Sequence, residues 1–214
     1  PNTAAVFASS RCAEIISKVY METFFKEKGP SIATTRAGNV IGGGDWALDR
    51  IVPDCVRAWS KSEKVQIRNP NATRPWQHVL EPLSGYLVLG QKLLQGNPEM
   101  NNQSFNFGPS AKINQSVGEL IPDMAKYWPG AKWEFEQELD LSKPESTLLK
   151  LNCDKALQML NWNSVLDFQA TIRMTGTWYQ DYYGQSPSTV SETTSRQIEE
   201  YIEIATQADL AWTQ

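Results

Sequence analysis

Residues able to do chemistry are few in this chain, and they are scattered. His78 is the sole histidine among 214 residues, and no Cys, Asp or Glu stands at ligand spacing from it, so a metal centre is not expected. Cys12, Cys55 and Cys153 are odd in number and far apart, with neither a C-x-x-C pair nor a histidine alongside. They read as reduced thiols of a cytoplasmic protein. The arginines are better candidates, because a guanidinium clamps a diphosphate through two parallel N–H donors. Arg74 sits in a loop, where such a group is most often a solvated surface charge. Asn39 follows Gly38 and offers an amide that both donates and accepts, or one that merely tolerates a turn. Gly42-Gly43-Gly44 has the composition of a phosphate loop, yet no strand leads into a G-x-G-x-x-G run and no helix opens directly on it. No dinucleotide fingerprint is claimed from it.

The elements that must position these residues alternate between helix and strand. Cys12, Ile15, Ile16, Val19, Thr23 and Phe24 recur at helical spacing between Ser9 and Lys28, and Gly29-Pro30 supplies a stop. Strand signals follow at 31–36, 65–67, 104–107, 132–135 and 148–151. Helical runs are expected at 51–60, 154–160, from Asp167 as N-cap through Tyr183, and at 79–94, where Leu80, Leu83, Leu87 and Leu94 share one side. Ser116 and Glu119 have the spacing of a capping box ahead of a helix to about Trp128. Residues 186–195 are rich in Ser and Thr and read as a solvated linker before a last, loosely attached helix at 196–208. That gives two regions, 1–185 and 186–214. The mixture is α/β, with too few long buried strands for a complete doubly wound sheet, as in part of a larger protein.

Composition narrows the function. With 41% hydrophobic and 21% charged residues and a mean hydropathy of -0.44, the chain reads as soluble and globular. Its 20 basic residues against 24 acidic ones leave a net charge of -4, which gives no general attraction to nucleic acid or to an anionic bilayer. No run approaches the roughly 18 apolar residues of a membrane span, and no basic region precedes an apolar stretch at the start.

Three stretches together carry a resemblance. T-R-A-G-N-V-I-G-G-G-D-W from Thr35 to Trp46, R-I-V-P-D from Arg50 to Asp54, and R-N-P-N-A-T-R-P-W-Q-H-V from Arg68 to Val79 closely resemble the CDP-glucose 4,6-dehydratases of the extended short-chain dehydrogenase superfamily. Order and spacing match as well as letters, and the likeness runs from about Cys12 to Tyr183. The resemblance implies an NAD-dependent enzyme that takes hydride from sugar carbon 4, eliminates water across carbons 5 and 6 and returns the hydride to carbon 6. It further implies CDP-glucose as substrate, a cytoplasmic place in deoxysugar and lipopolysaccharide O-antigen biosynthesis, and a homo-oligomer formed through the first helix. This chain would correspond to the part that follows the Rossmann fingerprint, roughly 150 residues being upstream, and would be inactive by itself.

The resemblance also assigns residues. Phe7 and Arg11 fall where such enzymes carry Tyr-x-x-x-Lys, a four-residue step that brings both side chains to one helix face. Phe7 has no proton to exchange, so it cannot act as the phenolate that accepts the carbon-4 hydroxyl proton, while Arg11 keeps a cation for the ribose. Ala37 and Val40 would lie near the nicotinamide. Asn39, Arg50, Arg68, Arg74 and Glu145 would contact the nucleotide sugar, Arg74 as the diphosphate clamp. Trp46 and Trp76 would shape the pocket or pack in the core, and His78 would be structural. A related nucleotide-sugar epimerase or dehydratase, or a non-catalytic nucleotide-sugar-binding or oligomerising module, are the alternatives.

Overall fold

The computed structural model describes residues 3–25, 29–110, 113–135, 151–184 and 187–214. Helix α1 (Thr3–Phe24) leads to strand β1 (Thr34–Ala37), which pairs in parallel with β6 (Ser104–Phe107) from Thr34 against Ser104 to Ala37 against Phe107. Glu14 of α1 holds Arg36 of β1 in an ion pair, which seats the helix beside the strand. Three further two-stranded pairs follow. β2 (Val40–Ile41) runs parallel to β5 (Gln77–His78), β3 (Lys64–Ile67) parallel to β8 (Lys132–Phe135), and β4 (Thr73–Arg74) antiparallel to β7 (Gln115–Ser116). The expected α/β class holds, with the strands distributed over short pairs.

Local sequence explains most of these elements. Along β3, Val65 and Ile67 turn inward while Lys64 and Gln66 face out, where both hold Glu134 of β8. Helix α2 (Ile51–Trp59) buries Val52, Cys55, Val56 and Trp59 at helical spacing, and Pro53 is tolerated in its first turn. Helix α4 (Val117–Ala125) opens on the expected capping box: Ser116 Oγ accepts from the Glu119 N–H at 3.2 Å, and the Glu119 carboxylate accepts from the Ser116 N–H at 2.7 Å. Asp167 caps helix α6 (Phe168–Gly184) by accepting from the Ala170 N–H at 2.7 Å. Helix α5 (Asp154–Leu160) falls where expected, whereas the candidate strand at 148–151 lies almost wholly outside the described residues.

Two expectations are corrected. In helix α3 (Leu80–Leu94) the leucine side is the outer one, with Leu83, Leu87 and Leu94 exposed. The buried side carries Glu81, Ser84, Gly85, Val88 and Leu89. Its selector is Gly85: a Cβ there would stand 2.3 Å from the Phe107 ring, so only the glycine face admits β6. Phe107 then meets Trp162 edge to face at 4.8 Å in a core with Phe105, Met100 and Leu160. The second correction concerns 186–195, which is no linker: from Pro187 onward it is part of helix α7 (Pro187–Gln207), packed on α6. Thr193, Gln197, Tyr201 and Ala205 form a buried stripe at four-residue spacing, and that burial overrides the polar composition.

Candidate functional site

The carboxyl ends of β1 and β6 gather several candidate residues. Past Ala37 the chain turns at Gly38, whose N–H reaches the Phe107 carbonyl at 3.2 Å. A Cβ on Gly38 would stand 3.3 Å from Pro75, so the loop bearing Arg74 lies directly against this turn. The Asn39 carbonyl accepts from the Gln77 N–H at 3.0 Å, and Val40 then pairs with Gln77 in the short β2–β5 ladder. Asn39, Ala37, Val40 and Arg74 are thus brought to one junction, at the strand ends where open α/β sheets bind ligands. Arg74 is half-buried, opposite Gln115 in the β4–β7 pair, with one guanidinium N–H on the Thr73 carbonyl at 2.8 Å.

Sequence reasoning missed Gln77. Its side chain is buried, its Nε2 donates to the Phe107 carbonyl at 2.9 Å, and its Oε1 has no hydrogen-bond partner among the described residues. An orphaned acceptor at a strand-end junction is costly unless a hydroxyl or N–H arrives to satisfy it. Asn114 Oδ1 and Gln115 Oε1, on and beside β7, are buried acceptors in the same condition.

Other candidates are held elsewhere. Arg50 precedes α2 and pairs with Asp45 at 2.9 Å, which ties it to the glycine-rich loop. That loop is anchored from α6: Tyr179 Oη donates to the Asp45 carbonyl at 2.7 Å, and the Trp178 indole fills the space above Gly43, where a Cβ would be 1.9 Å from the ring. Trp46 is partly exposed, in a cluster with Tyr179, Tyr182 and Tyr183, whereas Trp76 is a core residue that donates to the Gln115 carbonyl at 3.0 Å. Arg68 is exposed, directly after the end of β3. Phe7 and Arg11 both lie within α1, four residues apart, and Glu145 lies outside the described residues.

Burial quenches two further reactive side chains. Burial holds His78 neutral, lowering it to about 4, with the Arg173 cation adding to the effect. Burial likewise pushes the Cys55 thiol up to about 12. Among the described residues no cluster of His, Cys, Asp and Glu could hold a metal, and no helix is long and apolar enough to cross a membrane. Nor do they form a pyrophosphate cradle for a dinucleotide, since the glycine-rich turn is covered by Trp178 and α2 begins only at Ile51.

No family model matches the chain. Among solved structures it is similar to an epimerase of Methanothermobacter thermautotrophicus, with a TM-score of 0.63 and 18% identity over 79% of this chain and 48% of that one. It is also similar to the dTDP-glucose 4,6-dehydratase of Bacillus anthracis, solved in complex with NAD, with a TM-score of 0.61 and 17% identity over 82% of this chain and 52% of that one. The fold is the mixed α/β arrangement found in about half of each of those epimerase and dehydratase structures. In sequence the chain is 35% identical over 205 residues to the CDP-glucose 4,6-dehydratase of Salmonella typhimurium, a match covering 92% of this chain and 55% of that protein. The chain is similar to that dehydratase and spans about half of its length.

Proposed function

We propose that the chain is the nucleotide-sugar-binding portion of a CDP-glucose 4,6-dehydratase, acting in the NAD-dependent conversion of CDP-glucose to its 4-keto-6-deoxy product. The observation that carries this reading is the junction at the ends of β1 and β6, where the Asn39 main chain meets Gln77, whose Oε1 is unsatisfied, and the Arg74-Pro75 segment lies against Gly38. A guanidinium and open amide acceptors suit a diphosphate sugar, which offers anionic oxygens and hydroxyl donors. The match with the Salmonella CDP-glucose 4,6-dehydratase supports CDP-glucose among such ligands. Arg50, Arg68 and Glu145 are the further substrate contacts in this reading, with Ala37, Val40 and Arg11 on the cofactor side. NAD is the cofactor in this reading, and the described residues themselves supply no pyrophosphate cradle for it. The exposed side chains of Ile15, Ile16, Val19 and Tyr20 on α1 support self-association through that helix, and the cytoplasmic, O-antigen context completes the reading.

Phe7 favours a second reading, nucleotide-sugar binding without turnover, because its ring cannot exchange a proton. Calorimetry of the chain with CDP-glucose and with UDP-glucose tests the first proposal, and preference for CDP-glucose is the expected result. Absence of heat with either sugar nucleotide sinks it. Fusion to a homologous Rossmann half then separates the readings: turnover that rises on adding Phe7→Tyr and Arg11→Lys marks an enzyme that has lost its acid-base pair. A fusion bearing both substitutions that binds CDP-glucose but forms no 4-keto product marks a binding module.

A further inference from the structure

Glu81, in the first turn of α3, is 1% exposed and meets no cation among the described residues. Its Oε1 accepts the N–H groups of Val165 at 2.8 Å and Leu166 at 2.6 Å. Its Oε2 lies 3.0 Å from Tyr201 Oη of α7. Tyr201 Oη is in turn 2.9 Å from Ser84 Oγ, which is 2.8 Å from the Glu81 main-chain carbonyl and 2.9 Å from Trp162 Nε1. These four side-chain contacts can be counted by their hydrogens. The indole N–H serves the contact of Trp162 with Ser84. A carbonyl brings no hydrogen, so the Ser84 hydroxyl must donate to the Glu81 main chain. The contact of Ser84 with Tyr201 then takes the phenolic hydrogen. Nothing is left for the contact of Tyr201 with Oε2 unless the carboxyl brings its own.

We propose that Glu81 is a neutral carboxylic acid whose proton is donated to Tyr201, and that this proton latches α7 onto α3, so that its release loosens the helix. Burial supports the assignment, pushing the group up to about 7 against the opposing pull of the two N–H groups and of Tyr201. The titratable and charged groups on the elements around it are Tyr201 itself, the Arg173 and Glu200 pair that joins α6 to α7, neutral His78 on β5, and Asp167, which is exposed and caps α6. An ionised Glu81 would leave one buried oxygen facing another without a hydrogen between them.

Hydrogen exchange of the α7 amides, measured on the full chain and on Glu81→Gln from pH 4.5 to 8 and corrected for intrinsic rates, tests the latch. Opening releases the proton wherever the closed helix holds it and the open one does not, between the ordinary value of 4.5 and about 7. The opening constant of α7 should therefore rise about tenfold per pH unit, about 300-fold in all, and level off above 7. In Glu81→Gln an amide N–H takes the place of the acid proton, so that rise should vanish, while any effect of His78 is common to both proteins. Equal slopes in the two overturn the proposal. Should Glu81→Gln not fold, carbon NMR of the glutamate carboxyls in the unaltered chain decides: one carboxyl with a midpoint near 7, tracked by the α7 amides, is expected. Ordinary midpoints for every glutamate, or α7 amides that ignore the titration, overturn it.

Discussion

His78 and Glu81 stand three residues apart and pull stability with pH in opposite directions, so removing one should unmask the other. Burial lowers His78 from 6.5 to about 4 and raises Glu81 from 4.5 to about 7. A folded-state value below the unfolded one means that the histidine's contribution is present above pH 6.5 and lost as pH falls through 4. A folded-state value above the unfolded one means that the glutamic acid's contribution is present below pH 4.5 and lost as pH rises through 7. Each shift spans about 2.5 pH units at 1.36 kcal/mol per unit, which is about 3 kcal/mol per group. From pH 4.5 to 6.5 the two slopes cancel, and this pair leaves the profile flat. Glu81→Gln keeps a hydrogen donor at the position but cannot ionise. Urea unfolding of both proteins at pH 4.5, 5.5, 6.5 and 7 should show the variant gaining about 3 kcal/mol on the unaltered chain across that range. Other carboxylates contribute equally to both and drop out of the difference. Parallel profiles would refute the reasoning, as would a variant that loses ground with rising pH.

Arg74→Ala should weaken CDP-glucose binding by about 1.5–3 kcal/mol, the usual loss of a hydrogen bond to a charged group; calorimetry with equal dissociation constants removes Arg74 from the site. Gly43→Ala places a methyl 1.9 Å from the Trp178 ring, so thermal unfolding should show a loss of about 1–3 kcal/mol, relieved when Trp178→Ala is added. Light scattering of the concentrated chain should give a mass above that of one copy, and Val19→Glu, on the exposed side of α1, should reduce it. A monomer at every concentration rules out association through that helix.

What was legible in the sequence was local. Ser116 and Glu119 announce the start of α4 because both capping bonds close within three residues, and β3 is readable because inward Val65 and Ile67 alternate with outward Lys64 and Gln66. The face of α3 was not readable. Counting leucines points outward, and the deciding residue is Gly85, whose missing Cβ matters only once the Phe107 ring arrives from β6. The later part of α7 was legible as a helix from Arg196, but its first turns hid for a related reason: Thr193 carries no apolar signal, yet it is buried. Of the candidate-site residues, Asn39 and Arg74 could be named from motif letters. Gln77 could not, because an orphaned amide oxygen differs from a solvated one only in what surrounds it.

These hidden features converge on the glycine-rich loop. Thr194 of α7 accepts the indole N–H of Trp178 at 2.9 Å, and the same ring caps Gly43. The next residue of α6, Tyr179, holds the Asp45 carbonyl, while the Asp45 carboxylate takes the Ala47 N–H at 3.0 Å and Arg50 at 2.9 Å. A side chain that fills the space over a glycine leaves the loop few conformations, so the orientation of Arg50 is set through Asp45 by helices more than 120 residues further along the chain. The Ser/Thr-rich stretch that looks like spacer in the sequence is therefore the outer brace of that loop, and the Glu81 proton fastens the same helix two turns further along, at Tyr201.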